Sequence, residues 1–390
     1  MPRENQEFVP RENQEFVRVG VACFMIYRYM YLEIDRSNIR NYRITADQVL
    51  TTEQRVATLG DGEVLMRIEK FALTSNNISY ALAGDFLDYW RFFPTEAGWG
   101  RLPAMGFGVV EFSKNSDIAT GGRYFGFYPV ASHHIVQAKL TSTGFIDIGL
   151  HREKHAMTYR NFEKVPAKTA DEIAANENAS LIFRGLFTTS FLAEDFLRES
   201  EFFGATQVII TSASSKTSIA LAQCLRTNKK IQIVGLTAPA NVDFVKLVDL
   251  YDDVVSYDEI ESLDKDLRSV VVDMSGNRSI VARVHQHFAQ SLMYSCAIGA
   301  THWESTRSTT NIVGAQPQFF FAPSQLSKRA KQWGRDELNR RINEGLENFI
   351  GDAHSWLRID YSHGADAVSE VYKQLVGGLV RPEVGHVLAL

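Results

Sequence analysis

Three serines near the middle of the chain stand at a spacing that suits phosphate binding. The segment Val208-Ile-Ile-Thr-Ser-Ala-Ser-Ser-Lys-Thr-Ser218 reads as a buried strand and a tight turn, followed by a helix from Ile219 through Arg226. Ser212, Ser215 and Ser218 hold the G-x-x-G-x-x-G spacing. Turns of this kind bring the backbone close to a dinucleotide's pyrophosphate at the helix N-terminus. We interpret the segment as a modified phosphate cradle.

Hydroxyl and ammonium groups add further donors for an anion in this turn. Serine is the smallest residue that keeps a hydroxyl, so the turn could fit phosphates while offering side-chain donors. The predicted cofactor contacts here are Ser212, Ser214, Ser215 and Thr217, with Lys216 as a cation. The alternative is an ordinary strand-to-helix turn rich in cap-forming serines.

Short apolar strands alternate with helical patterns around this turn. Strands are predicted at 208–211, 231–235, 254–257, 269–273 and 293–299. Fully apolar short strands separated by helices are typical of a parallel sheet that is covered on both faces. The pattern predicts an α/β, doubly wound nucleotide-binding domain.

The rest of the chain follows other patterns. Residues 30 to about 136 carry short strand patterns with glycine turns, which predicts a β-rich, partly open barrel. Residues 147–165 read as a connection, and the helical period returns over 170–197. Residues 325–347 read as one charged amphipathic helix, and Val387–Leu390 could form a last strand that returns to the first domain.

Composition narrows the class of protein. The 390 residues carry a net charge of −5, so no sequence-wide field attracts nucleic acid or an anionic membrane. Three widely spaced cysteines (Cys23, Cys224 and Cys296) exclude a disulfide framework and suit a reducing compartment. No apolar run has the length of a membrane span. We expect a cytoplasmic protein.

Several local stretches, in order, resemble the medium-chain dehydrogenase/reductase superfamily. They are Leu73-Thr-Ser-Asn76-Asn77 with the later Gly84, Pro103-x-x-Gly106-x-Gly108-x-Val110, Gly121-Gly-Arg123-Tyr-Phe-Gly126 and Val270-Val-Val-Asp273-Met-Ser-Gly276. The resemblance covers roughly 50–390. The fuller text, including Tyr89-Trp90, Gly98-Trp-Gly100 and Phe320-Phe-Ala-Pro323, also resembles a branch catalogued only as a domain of unknown function.

The resemblance implies a two-domain architecture. We expect a GroES-like β-barrel domain from residues 30–165 plus 323–390, and a doubly wound parallel (Rossmann) domain from residues 166–322. Residues 1–29 contain an octapeptide, Pro2–Val9, that is repeated as Pro10–Val17. One short duplication is not a solenoid unit, so residues 1–29 are predicted to be an extension or disordered.

Zinc ligands of the superfamily's alcohol dehydrogenases are missing from this sequence. The chain has no cysteine between Cys23 and Cys224, which excludes a cysteine-type catalytic zinc site in the barrel. Adjacent histidines, as at His133 and His134, point to opposite faces of a strand, and His151 with His155 has the wrong neighbours. Without zinc, the resemblance implies quinone oxidoreductases and enoyl or enone reductases.

Candidate catalytic residues follow from the same resemblance. Tyr80 and Tyr89 are predicted proton donors, with a hydrophobic plug as the alternative for Tyr89. Asn76 and Asn77 are expected at the nicotinamide ribose or the substrate, although an Asn-Asn pair is also a common turn. Two further candidates follow the strand that ends at Gly299. They are Thr301, beside the nicotinamide, and His302, as a donor or a structural histidine.

The cofactor preference is predicted from the end of the second strand. NAD-dependent enzymes place Asp or Glu there, whereas this chain reads Val234-Gly-Leu-Thr237-Ala-Pro. With no carboxylate to repel a phosphate, NADP(H) is favoured, with Thr237, Asn241 and Lys216 as neighbours. Tyr257, after the third strand, is expected near the adenosine phosphate, with simple packing as the alternative.

These features predict a zinc-independent, NADP(H)-dependent reductase that transfers hydride to an activated C=C bond or a quinone. Its substrate would be a small molecule or a carrier-bound acyl chain, and the basic helix at 328–341 could then dock an acidic carrier. A homodimer is the default expectation, with no nucleic-acid or membrane partner. The alternative is a nucleotide-binding, non-catalytic sensor or interaction protein of the same fold.

Overall fold

The computed structural model describes residues 14–19, 22–47, 51–166, 171–298 and 312–390. The chain divides into two compact units. The first comprises Met1–Ala170, Tyr361–Leu379 and His386–Leu390, and the second comprises Asp171–Asp360 and Val380–Gly385.

The first unit is built on β-strands. Its strands and helices begin with β1 (Gln14–Val19), β2 (Ala22–Tyr27), β3 (Met30–Asp35), β4 (Tyr42–Ala46), α1 (Thr52–Ala57), β5 (Glu63–Leu73), α2 (Ser75–Leu82) and β6 (Trp99–Arg101). They continue with β7 (Pro103–Ser113), β8 (Arg123–Pro129), β9 (His133–Leu140), β10 (Gly144–Asp147) and β11 (Asn161–Val165). Strands β1 and β2 pair antiparallel within residues 1–29, which were predicted to be an extension or disordered.

Six of these strands close into an antiparallel barrel. Their order is β5-β7-β8-β11-β10-β9, and β5 also pairs with β9. Met66 of β5, for example, lies opposite Val110 on one side and His134 on the other. The predicted barrel is confirmed, and it is closed rather than partly open.

Strand β7 needs a glycine at position 106, where it lies against β5 and the ring of Tyr128. A Cβ on Gly106 of β7 would lie 2.9 Å from the carbonyl oxygen of Lys70 and 3.2 Å from the ring of Tyr128. Tyr128 is fully buried. Gly106 therefore leaves the space that this phenol fills inside the wall.

The second unit alternates helices and strands. They are α3 (Asp171–Glu199), β12 (Gln207–Ile210), α4 (Lys216–Leu225), β13 (Gln232–Thr237), α5 (Val242–Val248), β14 (Asp253–Ser256), β15 (Ser269–Asp273), α6 (Arg278–Phe288), β16 (Leu292–Ala297), β17 (Pro317–Phe319), α7 (Ala322–Trp333) and α8 (Arg335–Ala353). The chain ends with β18 (Arg358–His363), α9 (Gly364–Gly377) and β19 (Val384–Ala389).

The sheet of the second unit is parallel and doubly wound. Its order is β14-β13-β12-β15-β16-β17, which is 3-2-1-4-5-6 when the strands are counted from β12. Val208 and Ile210 pack into one buried cluster, and Ile209 packs into another. Both faces of β12 are therefore covered, as the fully apolar strand predicts.

The charged segment 325–347 is two helices rather than the predicted single one. The break lies at Gly334, which has a φ of +84° that other residues rarely adopt. Both helices belong to the second unit, whereas the predicted division assigned residues from 323 onward to the barrel domain. Arg329 of α7 explains part of this placement, because it pairs with the fully buried Asp195 of α3.

The C-terminal strand returns to the barrel, as the sequence predicts. His386 to Leu388 of β19 pair antiparallel with Leu73 to Phe71 of β5. In the part of the chain that the structure describes, no helix combines the length and apolarity needed to cross a membrane.

Candidate functional site

The turn between β12 and α4 lies where the strand order of the sheet reverses. From β12 the sheet grows outward through β13 and β14 on one side. On the other side it grows outward through β15, β16 and β17. Ligands of doubly wound sheets bind at the carboxyl ends of the strands at this switch point. The fold therefore places the serine-rich turn at the position where a nucleotide site is expected.

Ser212 gives the turn its shape. Its φ is +52°, a left-handed conformation that is uncommon for residues other than glycine. Its carbonyl oxygen accepts a hydrogen bond from the N–H of Ser215 at 2.7 Å. Its own N–H donates to the hydroxyl of Tyr257 at 2.8 Å. Ser212 thus adopts the conformation that the usual glycine would provide, held in place by a predicted cofactor residue.

Two of the three spaced serines use their hydroxyls inside the turn. Ser215 is the N-cap of α4, and its Oγ accepts from the N–H of Ser218 at 3.2 Å. Its hydroxyl also donates to Ser218 Oγ at 2.8 Å. Ser218 in turn donates to the carbonyl oxygen of Thr211 at 3.0 Å. The capping alternative therefore describes what these two hydroxyls do in the structure.

Ser214 keeps a hydroxyl that can still donate. Its Oγ accepts a hydrogen bond from Asn241 Nδ2 at 3.1 Å, so the structure brings these two predicted residues together. Thr217 lies in the first turn of α4, where its carbonyl oxygen accepts from Ser190 Oγ at 2.7 Å. Thr237 ends β13, and its buried hydroxyl has no hydrogen-bond partner among the described residues.

The ammonium of Lys216 binds the C-terminal segment of the chain. Its Nζ donates to the carbonyl oxygens of Pro382 at 2.8 Å and Val384 at 2.7 Å. Burial lowers the pKa of Lys216 to about 8. The sequence predicted that this cation would face the phosphates, whereas two backbone carbonyls of the second unit hold it here.

Asp273 is a part of this site that was not among the predicted residues. It ends β15, it is buried, and its Oδ1 accepts from Thr211 Oγ1 at 2.6 Å and Ser275 Oγ at 2.7 Å. Its Oδ2 is buried without a partner in the described parts of the chain. In the sequence, Asp273 could have been recognised as a polar residue at the end of a predicted apolar strand. Asp273 and Thr237 end the two strands that flank β12. Because buried polar groups are normally hydrogen-bonded, their unpartnered oxygens could each bond a ligand group there.

A second group of candidates lies in the barrel unit and forms a chain of side chains. Asn76 and Tyr80 lie about one turn apart on α2, and the ring of Tyr80 packs against those of Tyr89 and Tyr159. The ring centroids of Tyr80 and Tyr89 lie 5.1 Å apart, and that of Tyr159 lies 6.2 Å from Tyr80. Two predicted catalytic residues, Tyr80 and Tyr89, thus pack against each other and against Tyr159, and Asn76 precedes Tyr80 on the same helix. We call these four residues the tyrosine chain.

Burial keeps the phenols of the tyrosine chain neutral. It raises the pKa of Tyr80 well above 10 and that of Tyr89 to about 12. Burial also raises the pKa of Tyr159. Each phenol therefore remains a hydrogen-bond donor across the physiological pH range.

Arg152 fastens together the two short helices that carry Tyr89 and Tyr159. Those 3-10 helices are Tyr89–Phe92 and Met157–Tyr159. The guanidinium of Arg152, which is fully buried, donates to the carbonyl oxygen of Phe92 at 3.4 Å and also to that of Tyr159. Tyr159 and Arg152 lie in the segment that was read as a connection without a clear period, so sequence reasoning missed both.

The remaining candidates lie elsewhere. Asn77 is buried; its Oδ1 accepts from the N–H of Thr74 at 2.7 Å and its Nδ2 donates to the carbonyl oxygen of Pro103 at 2.7 Å. Those bonds use Asn77 to join α2 to β7. Thr301 and His302 lie outside the described residues. Within the described ranges, no group of three or more His, Cys, Asp or Glu side chains could hold a metal ion.

Most of the positive charge on helices α7 and α8 is paired with carboxylates. Four of the six basic side chains predicted as a carrier-docking face form ion pairs within the second unit: Lys328 with Glu199, Arg329 with Asp195, Arg340 with Glu344 and Arg341 with Glu337. These pairs reduce the net positive field that the bare sequence suggests.

Several solved structures share this fold at low sequence identity. CurA of Vibrio vulnificus in complex with NADPH is 12% identical, with a TM-score of 0.59 over 93% of this chain and 98% of that one. The quinone oxidoreductase of Coxiella burnetii is 13% identical, with a TM-score of 0.51 over 93% and 99%. The yhdH oxidoreductase of Salmonella enterica in complex with NADP is 14% identical, with a TM-score of 0.50 over 93% and 99%.

These similarities establish the GroES-like barrel and the Rossmann domain as the shared fold. No curated protein matches the chain in sequence. A family model described as "Protein of unknown function (DUF2855)" matches residues 71–381. Because that match spans most of the sequence, the chain belongs to the DUF2855 family.

Proposed function

We propose that this protein is an NADP(H)-dependent reductase that transfers hydride, without zinc, to an activated C=C bond or a quinone. The observation that carries the proposal is the left-handed Ser212 turn at the switch point of a 3-2-1-4-5-6 parallel sheet. The proposal is also supported by the solved neighbours of the same fold that bind NADPH or NADP.

The groups of the β12–α4 turn fit a pyrophosphate. The first N–H groups of any α-helix lack intrahelical acceptors, and the helix dipole favours an anion there. In α4 the N–H of Ser218 is capped by Ser215, which leaves those of Lys216 and Thr217 for a ligand. The hydroxyl of Ser214 adds a side-chain donor beside them. Because Lys216 Nζ is bound elsewhere, backbone amides and hydroxyls would hold the phosphates.

The end of β13 favours NADP(H) over NAD(H). From Thr237 to Asn241 the chain contains no carboxylate to accept the ribose diol or to repel a 2′-phosphate. Asn241 lies beside Ser214, and the buried hydroxyl of Thr237 has no hydrogen-bond partner within the described segments. Either side chain could hydrogen-bond a ribose or its phosphate.

The tyrosine chain supplies the donors for the substrate. The cofactor, when bound, provides the hydride. Negative charge then grows on the oxygen of a conjugated carbonyl or a quinone, and a positioned O–H can stabilise it. Tyr80, a half-buried phenol about one turn after the exposed Asn76 on α2, is the residue that we assign to this oxygen. Tyr89 lies behind it and is buried.

Calorimetric titration with NADPH and with NADH tests the nucleotide part of the proposal. We expect micromolar affinity for NADPH and at least tenfold weaker affinity for NADH. A tenfold difference corresponds to about 1.4 kcal/mol of binding free energy, which is typical of losing one contact to a charged group such as the 2′-phosphate. Oxidation of bound NADPH by an enone and a quinone would then test the reductase part. Binding of neither nucleotide would refute the proposal.

A non-catalytic nucleotide sensor is the second candidate. The observation in its favour is that the side chains of Ser215, Ser218 and Lys216 all donate hydrogen bonds to other groups of the protein. A Ser215→Gly variant separates the two candidates. Higher NADPH affinity in the variant would indicate that the native turn has weakened, whereas lower affinity would indicate that the serine cap supports a working site.

A further inference from the structure

The two oxygens of the buried Asp273 carboxyl group have different surroundings. Oδ1 accepts three hydrogen bonds, from Thr211 Oγ1 at 2.6 Å, from Ser275 Oγ at 2.7 Å and from the N–H of Ser275 at 3.0 Å. Oδ2 is buried and accepts none from the described residues, and Asp273 as a whole is 1% exposed. The protein therefore fixes one oxygen of this carboxylate, while the other lacks the donor that a buried oxygen normally has.

The bonds at Oδ1 place the carboxylate beside the serine-rich turn. Thr211 is the residue between β12 and Ser212, and its Oγ1 also accepts from the N–H of Met274 at 2.9 Å. The ends of β12 and β15 are thereby joined at the edge where ligands of doubly wound sheets bind. The three residues that follow Asp273 are only half-buried, so its carboxylate lies just beneath the surface of this edge.

The chemistry of a carboxylate limits the ligand group that can bond Oδ2. An ionised carboxylate only accepts hydrogen bonds, and the oxygens of a phosphodiester are also acceptors. The two anions repel each other, so a phosphate does not suit this position. A hydroxyl or an amide N–H does. In the nicotinamide half of a dinucleotide, the available donors are the ribose hydroxyls and the carboxamide.

Strand order indicates which half of a dinucleotide would reach Asp273. A 3-2-1-4-5-6 sheet binds a dinucleotide across the switch point, with one mononucleotide on each side. On one side, β13 ends without a carboxylate, which suits the 2′-phosphate of the adenosine half. On the other side, β15 ends in Asp273, whose charge disfavours that phosphate. The nicotinamide half is therefore expected over β15, and its ribose, which is attached to the pyrophosphate, is its donor nearest the turn.

We infer that Asp273 binds the ribose of the nicotinamide half of the cofactor, with Oδ2 accepting a hydrogen bond from a ribose hydroxyl. The inference rests on the proposed function and adds a contact to it. Because Oδ1 stays bonded to Thr211 and Ser275, the carboxylate is oriented before the ligand arrives, which lowers the entropy lost on binding. The carboxylate at the end of β15 and its absence from the end of β13 then set the direction of the dinucleotide across the sheet.

A series of shortened ligands tests the inference by titration calorimetry of the full chain. Adenosine 2′,5′-bisphosphate lacks the second ribose, 2′-phospho-ADP-ribose contains that ribose without nicotinamide, and NADPH contains both. Asp273→Asn keeps an oxygen for the donors at Oδ1 but replaces Oδ2 with an NH₂ group. We expect this variant to bind 2′-phospho-ADP-ribose and NADPH about tenfold more weakly, as for a lost hydrogen bond to a charged group. Its affinity for adenosine 2′,5′-bisphosphate should be unchanged.

Two control variants separate ribose binding from support of the turn. Asp253→Asn changes an exposed carboxylate at the start of β14, and it should alter none of the three affinities. Thr211→Val removes the hydroxyl that donates to Asp273 Oδ1. Because Thr211 precedes the turn directly, this variant should weaken all three ligands together.

The pattern of affinities decides the outcome. Equal weakening of all three ligands by Asp273→Asn would show a structural role, and a loss confined to NADPH would place the contact on the nicotinamide ring. Either result would overturn the inference, and so would unchanged affinities. Normal NADPH binding with any of these three results refutes the inference alone, whereas failure of the unaltered protein to bind any of the ligands refutes the proposed function.

A second measurement needs no variant, so it applies even if Asp273→Asn does not fold. The ligand is an NADP⁺ analogue whose nicotinamide ribose lacks both hydroxyls. The unaltered protein should bind this analogue about tenfold less tightly than NADP⁺. Equal affinity for the two would overturn the assignment of Asp273 to the ribose.

Discussion

The hydroxyl of Tyr257 accepts a hydrogen bond from the backbone N–H of Ser212 at a distance of 2.8 Å. Tyr257 follows β14 and Ser212 follows β12, so the bond links the turns at the ends of two strands that β13 separates. It also supports Ser212 in its left-handed conformation. This bond connects the shape of the β12–α4 turn to the rest of the sheet.

Replacing Tyr257 with Phe should loosen the turn. The change leaves the N–H of Ser212 without its acceptor, which costs about 1–3 kcal/mol when the group stays buried. We expect lower NADPH affinity together with a lower free energy of unfolding, measured by calorimetry and urea denaturation. Tyr294→Phe on β16 is the matched control, because Tyr294 stacks on Phe203 at 4.0 Å. Equal NADPH affinity in both variants would contradict this role for Tyr257.

The sequence predicted Ser212, Asn241 and Tyr257 separately as cofactor contacts at strand ends, and their proximity in the structure follows from strand order. A parallel sheet brings the carboxyl ends of its strands to one edge, so the residues after β12, β13 and β14 converge. Ser212, Asn241 and Tyr257 were therefore predictable as neighbours. Their roles in cofactor binding remain predictions.

Other parts of the site depend on contacts that no local pattern encodes. Lys216 meets Pro382 and Val384 only because the chain returns after more than one hundred residues, which periodicity does not report. Tyr159 and Arg152 lie in an irregular connection where no spacing indicates which side chains point inward. The sequence pattern predicted one helix through Gly334, whereas the positive φ of Gly334 separates α7 from α8.

Removing the cap of α4 should destabilise the second unit. Ser215→Ala deletes the oxygen that accepts from the N–H of Ser218. Losses of this kind cost about 1 kcal/mol, while Gly at an N-cap costs only a few tenths. Urea unfolding should therefore show the Gly variant slightly less stable than the unaltered protein and the Ala variant the least stable of the three. A Gly variant less stable than the Ala variant would contradict the capping role of this serine.

Lys216 should give the free energy of unfolding a distinct pH dependence. Burial lowers its pKa from 10.5 to about 8 in the folded protein. Between these values the unfolded chain binds a proton that the folded chain does not, so stability from this group rises with pH there. Below the folded pKa both states are protonated, and the burial penalty is fully present.

Comparison with Lys216→Met isolates this effect. The Met variant should lack the part of the rise that occurs between about pH 8 and 10.5. Lys246→Met, which alters an exposed lysine on α5, should follow the unaltered protein. Identical slopes for the Lys216 variant and the unaltered protein would show that this ammonium is not perturbed by burial.

Arg152 should be among the most sensitive positions of the barrel unit. Its NH1 lies 3.5 Å from Oδ2 of Asp147, and both side chains are buried. Arg152→Met leaves that carboxylate without its cation, which typically costs about 3–5 kcal/mol. Arg91→Met, at a half-exposed ion pair with Asp88, should change stability little.

A second substitution tests the cause of the Arg152 effect. Adding Asp147→Asn to the Arg152→Met variant removes the unpaired charge and should restore part of the lost stability. If the double variant is as unstable as the sum of the two single variants, the cost does not arise from the charge pair.

Nucleotide binding is the central claim, and titration calorimetry of the full chain with NADPH and NADH measures it most directly. We predict micromolar binding of NADPH that Tyr257→Phe weakens, with NADH bound at least tenfold less tightly. No binding of either nucleotide, or tighter binding of NADH, would contradict the assignment of the serine turn and the carboxylate-free end of β13 to NADP(H).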